Sequence, residues 1–89
     1  MKKLIKQTEN YNLYEADFME FTQTFRQWRN NQIEIQFNDN FAKGNGYRSI
    51  EDMLNRNKEM RESLLEAFGS IPQWITITAD GQFIVKNTQ

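Results

Sequence analysis

The strongest constraint on the fold is the long helical pattern between residues 49 and 68. Apolar residues recur there at intervals of three and four, which places them on one face of an α-helix. Ser49 stands at the N-cap position with Asp52 three residues later, close to a capping box, and Gly69 stands at the C-terminal cap position. We therefore predict one continuous helix over residues 49–68.

A single polar residue, Asn57, falls on the apolar seam of this helix. A buried asparagine at such a position can fix the register of a helix dimer. An asparagine at the rim of the sheet would instead meet water, and this second interpretation is favoured. A homo-oligomer formed through the helix or through a sheet edge stays open.

Strict alternation of polar and apolar residues precedes the helix. Residues 32–37 alternate without exception, which predicts a half-buried strand with Ile33, Ile35 and Phe37 directed inward. The following segment, residues 38–48, contains two glycines and shows no periodicity, so we predict a loop.

A hairpin is predicted after the helix, in residues 73–86. Ile75 and Ile77 alternate with threonines, and the Asp-Gly pair at positions 80–81 is typical of a type I′ turn. Phe83 and Val85 would extend the apolar face. A short N-terminal strand at residues 2–7 completes the predicted strands.

Residues 16–29 fit two structures. Their apolar residues fall at positions 18, 21, 25 and 28, as on one helix face, and acidic residues lie where a helix begins. The alternating aromatics and threonines would equally suit a strand whose hairpin turns at Asn30 and Asn31. The helix is the favoured prediction.

Together these patterns predict a single α+β domain over residues 1–89. Two helices would pack on one face of a small, mostly antiparallel sheet of three to four strands. A chain of 89 residues is long enough to bury a core without disulfides or metals.

Composition argues against several functional classes. The chain has no cysteine and no histidine, so thiol catalysis, zinc–thiolate sites and the commonest general base are excluded. The net charge of −1 supplies no one-signed field for non-specific nucleic-acid binding. No stretch has the character of a signal peptide or of a membrane span. We predict a cytoplasmic, non-enzymatic protein with no catalytic residues, no metal and no cofactor.

The glycine-containing segment at residues 41–49 has some features of a phosphate-binding loop. It runs from a predicted strand into a helix N-terminus, which favours anions. Glu51 and Asp52 in the first helical turn would repel a phosphate, and the spacing matches no phosphate-binding fingerprint. A flexible joint between strand and helix is the favoured interpretation.

A nucleic-acid site is one of two candidate binding surfaces. Arg26, Trp28 and Arg29 interleave cations with an aromatic ring, as in proteins that stack single-stranded bases, and Arg48 would add a further cation. Core packing explains Trp28 first, because it follows the helical spacing of the preceding phenylalanines.

The second candidate surface is the side of the sheet that faces away from the helices. Trp74, Thr76, Ile84, Glu34 and Gln36 alternate with inward residues and would lie together on that side. A tryptophan and an aliphatic residue surrounded by polar side chains is typical of a modest protein-binding patch. The sequence equally allows Trp74, which lies close to Pro72, to cover the end of the core after a bend.

These observations favour a small protein-interaction module whose partner is another protein. An inhibitor from a phage or a mobile element that blocks a host protein fits the size and the composition, by analogy. The alternative is a protein that binds single-stranded nucleic acid or RNA.

Overall fold

The computed structural model describes residues 2–78 and the backbone of residues 83 and 84. Within these residues, six antiparallel strands form one sheet in chain order, and three helices lie between the fourth and fifth strands. The strands are β1 (Lys3–Gln7), β2 (Tyr11–Phe18), β3 (Phe21–Trp28), β4 (Ile33–Gln36), β5 (Trp74–Ile77) and β6 (Phe83–Ile84). The helices are α1 (Asp39–Gly44), α2 (Ile50–Arg56) and α3 (Lys58–Phe68).

The α+β class is therefore confirmed, while the predicted numbers of strands and helices were too low. The sheet has six strands rather than three to four, and the helical layer has three helices rather than two. The N-terminal strand is present as β1, and β5 pairs with β6 as the C-terminal hairpin requires. The predicted turn at 80–81 and the inward position of Val85 lie outside the described residues.

The prediction of a helix over residues 16–29 was wrong. β2 and β3 form a hairpin in which Phe18 pairs with Phe21 across a two-residue turn. Met19 and Glu20 in that turn have φ values of 53° and 71°, the left-handed conformation that a type I′ turn demands. Phe18 and Phe21 are therefore three residues apart because a two-residue turn separates them. An interval of three residues is also typical of one face of a helix, which explains the wrong prediction.

The alternative interpretation placed a hairpin turn at Asn30 and Asn31, and that turn is present between β3 and β4. Asn31 has a φ of 68°, and its backbone N–H donates to the carbonyl of Trp28 at 2.9 Å. Asparagine tolerates this left-handed conformation better than most residues. The β3–β4 hairpin sets the register in which Phe25 lies opposite Ile35.

Residues 38–48 were predicted to be a loop, but they contain α1. The side-chain oxygen of Asn38 accepts a hydrogen bond from the backbone N–H of Phe41 and caps the helix. Phe41 and Ala42 are buried against the sheet. The helix escapes prediction because it is short and presents only one pair of apolar residues.

The glycines of the segment at residues 41–49 have structural explanations. A Cβ atom at Gly44 would lie 2.8 Å from the Cβ of Met19, so glycine permits α1 to approach the β2–β3 turn closely. Gly46 has a φ of 91°, which other residues rarely adopt. The segment begins inside α1, so it is not a joint between a strand and a helix as predicted.

The helix predicted over residues 49–68 is two helices that meet at Asn57. The Asn57 backbone leaves helical geometry, and its side-chain oxygen accepts from the N–H of Met60 at 3.1 Å, which caps α3. The predicted caps at Ser49 and Gly69 are confirmed, since Ser49 Oγ accepts from the N–H of Asp52 and Gly69 adopts a φ of 74°. Asn57 is therefore a helix cap and not a residue of a continuous seam.

The core lies between the helices and one side of the sheet, which we call the inner face. Tyr14, Phe25, Ile35 and Ile75 form one row across β2, β3, β4 and β5. The helices cover this row with the buried side chains of Phe41, Met53 and Leu64. Burial raises the pKa of the Tyr14 phenol above its usual value, because the charged form would lose its hydration.

A polar residue, Gln23, also lies on the inner face, opposite Ala16. Its side chain is 1% exposed, and neither its amide nitrogen nor its oxygen has a hydrogen-bond partner in the described part of the chain. A buried amide without partners destabilises a fold. Gln23 is therefore expected to lower the stability of a layer whose other buried residues are hydrophobic.

Candidate functional site

The candidate site is the opposite side of the sheet, which we call the outer face. Strand residues alternate between the two faces, so each inner-face residue has outer-face neighbours in sequence. The register places Leu13, Arg26, Glu34 and Thr76 in one row across β2, β3, β4 and β5. The three helices pack on the inner face, and no element of the described chain covers the outer one.

Three aromatic rings surround the guanidinium of Arg26 at the middle of the outer face. Its Cζ atom lies 4.4 Å from the ring centroid of Trp74, 4.9 Å from that of Trp28 and 5.7 Å from that of Tyr11. Tyr11 and Trp28 also contact each other, with centroids 4.9 Å apart. Each cation–π contact at a partly exposed site contributes about 0.5–1 kcal/mol, so the three rings hold the guanidinium in place.

Glu34 fixes this arrangement from the neighbouring strand. Its Oε1 atom accepts a hydrogen bond from Arg26 Nε at 2.5 Å and another from the indole N–H of Trp28. The side chains of Arg26 and Glu34 are 23% and 16% exposed, which shields the pair partly from solvent. We call Tyr11, Arg26, Trp28, Glu34 and Trp74 the Arg26 cluster.

Four of the residues predicted to bind a protein partner lie on the outer face: Glu34, Gln36, Trp74 and Thr76. Glu34 is opposite Thr76, and Gln36 is opposite Trp74. Thr76 is held by the side-chain amide of Gln32, which donates to Thr76 Oγ1 at 3.1 Å. Only the backbone of Ile84 is described, and it pairs with Thr76. The binding role of these residues stays a prediction.

Of the four residues predicted to bind nucleic acid, Arg26, Trp28 and Arg29 lie near one another and Arg48 lies apart. Arg26 and Trp28 belong to the Arg26 cluster, and Arg29 is exposed in the β3–β4 turn. Arg48 precedes α2 in the helical layer, where its backbone N–H donates to Asp52. Trp28 was expected in the core, but it faces outward, because residues 25 and 28 lie on opposite faces of a strand.

Sequence reasoning missed Tyr11 and missed the connection between the two candidate surfaces. Trp28 and Trp74 come from strands that are not neighbours, and both rings contact Arg26. Reading residues 11–28 as two alternating strands would have placed Tyr11 beside Trp28, since the two residues pair in the register. The strand-like alternation of residues 11–28 is therefore the sequence signal that could have identified Tyr11.

A shallow depression of about 370 Å³ adjoins the cluster at the end of the sheet. It is lined by Asn10, Trp28, Arg29, Asn30 and Gln32. The indole of Trp28 therefore belongs both to the cluster and to the wall of the depression.

The described residues contain no cluster of three or more His, Cys, Asp or Glu side chains that could hold a metal ion. None of the helices in the described part of the chain has the length and apolar character needed to cross a membrane.

Comparison of the chain with protein-family models, with curated proteins and with solved structures found no match. A functional assignment therefore depends on the outer face itself.

Proposed function

We propose that this chain is a small, non-enzymatic interaction module that binds another protein through the outer face of its sheet. The single observation that carries the proposal is the Arg26 cluster, which places two tryptophans, a tyrosine and an arginine on a face that the described elements leave uncovered. These three residue types are the ones most enriched among residues that dominate protein–protein binding energy.

The cluster is also ordered before any partner arrives. The side chains of Arg26 and Trp28 are both hydrogen-bonded to Glu34, and the guanidinium contacts three rings. Binding usually costs about 0.5–1.5 kcal/mol for each long side chain that becomes immobilised. A cluster that is already ordered avoids most of that cost, which favours a binding role.

Blocking a host protein, as an inhibitor from a phage or a mobile element would do, is the form of this function that we propose. The chain is short, and its 18 asparagine and glutamine residues are typical of AT-rich genomes of that kind. This step is an analogy, and it places the protein in the cytoplasm of the host.

The test is affinity capture from a bacterial lysate with and without nuclease, followed by identification of the bound proteins. Two variants alter the outer face: Trp74→Ala removes a ring of the cluster, and Thr76→Arg adds a bulky cation to the centre of the face. The matched control is Phe68→Ala, which removes an exposed aromatic ring from the helical layer. Thermal unfolding of each variant shows that it is folded.

The proposal predicts a stoichiometric protein that survives nuclease, binds the Phe68→Ala variant and is lost with both outer-face variants. A bound protein that all three variants retain would place the interface elsewhere. Material that disappears with nuclease would favour the alternative, a nucleic-acid-binding protein, with Arg26, Trp28 and Arg29 as the residues to replace next.

A further inference from the structure

The guanidinium of Arg26 is held in place but its hydrogen-bonding capacity is only partly used. Its Nε atom donates to Glu34, whereas within the described residues neither terminal nitrogen has a hydrogen-bond partner. A guanidinium has five N–H donors in a planar fork. Four of them, on the two terminal nitrogens, are therefore available to an incoming group.

The geometry of those free donors suits one chemical class. Two parallel N–H groups of a guanidinium match the two oxygens of a carboxylate and form a bidentate pair, which is among the strongest hydrogen-bonded contacts in proteins. We infer that Arg26 binds a carboxylate of the protein partner, supplied by an aspartate, a glutamate or a chain terminus. This inference rests on the proposed function and names the chemistry that the outer face recognises.

The surroundings of Arg26 favour a carboxylate flanked by apolar groups. Trp28, Trp74 and Tyr11 border the guanidinium, so a residue next to the carboxylate would meet aromatic rings. The partial exclusion of water by these rings strengthens an ion pair compared with one in open solvent. The site thus fits an acidic side chain within an apolar segment.

A nucleic-acid phosphate would carry the same fork-shaped arrangement of oxygens, but the charges around the site argue against it. Arg26 is the one cation of the cluster, and the row that contains it continues into uncharged Leu13 and Thr76 on either side of the Arg26–Glu34 pair. Affinity for a polyanion grows with the number of cations that contact phosphates. A single guanidinium offers one bidentate contact, which a carboxylate uses in full and a polyanion does not.

Arg56 shows how an arginine differs when it lies outside such a cluster. It contacts one ring, that of Tyr47 at 5.3 Å, and its Nη1 atom lies 3.6 Å from Asp52. Its side chain is 61% exposed. Arg56 is therefore the matched control for Arg26: it has an acidic neighbour and an aromatic neighbour but little burial.

The experiment begins with a displayed library of random linear peptides selected on the purified protein. An enriched peptide is synthesised with its acidic residue and again with the corresponding amide, and both dissociation constants are measured. The protein variants are Arg26→Gln, Arg26→Lys, Trp74→Ala and the control Arg56→Gln. Thermal unfolding is recorded for each, and Arg26→Lys retains the charge if Arg26→Gln fails to fold.

We expect the amide peptide to bind the wild-type protein at least about tenfold more weakly than the acidic peptide, because a charge-assisted bidentate contact is lost. The two peptides should differ by less than about twofold on Arg26→Gln, as in any double-mutant cycle that removes one partner. Arg26→Lys should weaken the acidic peptide by about tenfold, since an ammonium cannot form the fork. Arg56→Gln should leave both affinities unchanged.

Other results would overturn the inference in distinguishable ways. Peptides that need Trp74 but contain no acidic residue would overturn the carboxylate and leave the proposed function standing. Selection that yields no peptide, or peptides indifferent to Trp74→Ala, would count against both. A single-stranded oligonucleotide that binds the wild-type protein and not Arg26→Gln would assign the guanidinium to phosphate instead.

Discussion

The two faces of the sheet are built from alternate residues of the same strands, and they differ in chemical character. Ile35 and its neighbour Glu34 lie one residue apart, yet Ile35 is fully buried beneath the helices while Glu34 joins a polar and aromatic cluster. Phe25 and Arg26 repeat the contrast on β3. The inner face stabilises the fold by burying apolar area, and the outer face carries the Arg26 cluster, which no described element covers.

The largest expected effect is the loss of stability when the inner face is truncated. Ile35→Ala should lower the free energy of unfolding by about 2–5 kcal/mol, because the residue is 0% exposed and the substitution leaves a cavity. Its outer-face neighbour gives the control: Gln36→Ala should cost about 0.5 kcal/mol or less. Urea unfolding measures both, and equal losses would contradict the division between the faces.

The next largest effect should be a gain in stability at Gln23. Gln23→Met keeps the length of the side chain and removes an amide that is buried without partners in the described structure. Leaving such a group unsatisfied costs about 1–3 kcal/mol, so we expect the substitution to raise the free energy of unfolding by about 1 kcal/mol. Thermal and urea unfolding check this, and a clear destabilisation would show that the amide is satisfied in solution.

The outer-face ion pair should contribute less. A double-mutant cycle over Arg26→Ala and Glu34→Ala should give a coupling of about 0.5 kcal/mol, because the pair is partly shielded but remains in contact with solvent. The coupling should shrink at high salt. A coupling near zero in low salt would show that the cluster does not hold Arg26 in solution.

The smallest effect should appear only at alkaline pH. The pKa of Tyr14 is raised above its usual value of 10.0, so the folded state keeps a proton that the unfolded state releases. Tyr14 therefore contributes stability that is fully present below pH 10.0 and is lost as pH rises through the folded pKa. The free energy of unfolding, measured from about pH 9 to about pH 11, should fall more steeply in the wild type than in Tyr14→Phe. Parallel curves would contradict the burial of this phenol.

Elements with strong local signals could be predicted from the sequence. The alternation around Ile33 and Ile35 identifies β4. The caps at Ser49 and Gly69 identify the start of α2 and the end of α3. The turn at Met19 and Glu20 could not be predicted, because neither residue has the chemistry that normally marks a left-handed turn. Once that turn is missed, the aromatic spacing favours a helix.

The candidate site was predictable in parts and not as a whole. Trp28 and Trp74 were each singled out, but for different functions. In a helix, residues 25 and 28 share a face, whereas in a strand an odd spacing places them on opposite faces. Trp28 and Trp74 both contact Arg26 because β3 pairs with β4 and β4 pairs with β5. Local sequence patterns do not determine this strand pairing.

The most direct test of the outer-face interface uses the two tryptophans of the chain, because both belong to the Arg26 cluster. Isotope-labelled protein is titrated with the unlabelled captured partner, and the indole N–H resonances of Trp28 and Trp74 are followed by NMR. We predict that both indole resonances shift or broaden on binding, while amides on the exposed side of α3 stay unchanged. Indole resonances that remain unmoved while α3 amides shift would place the interface on the helices and contradict the account.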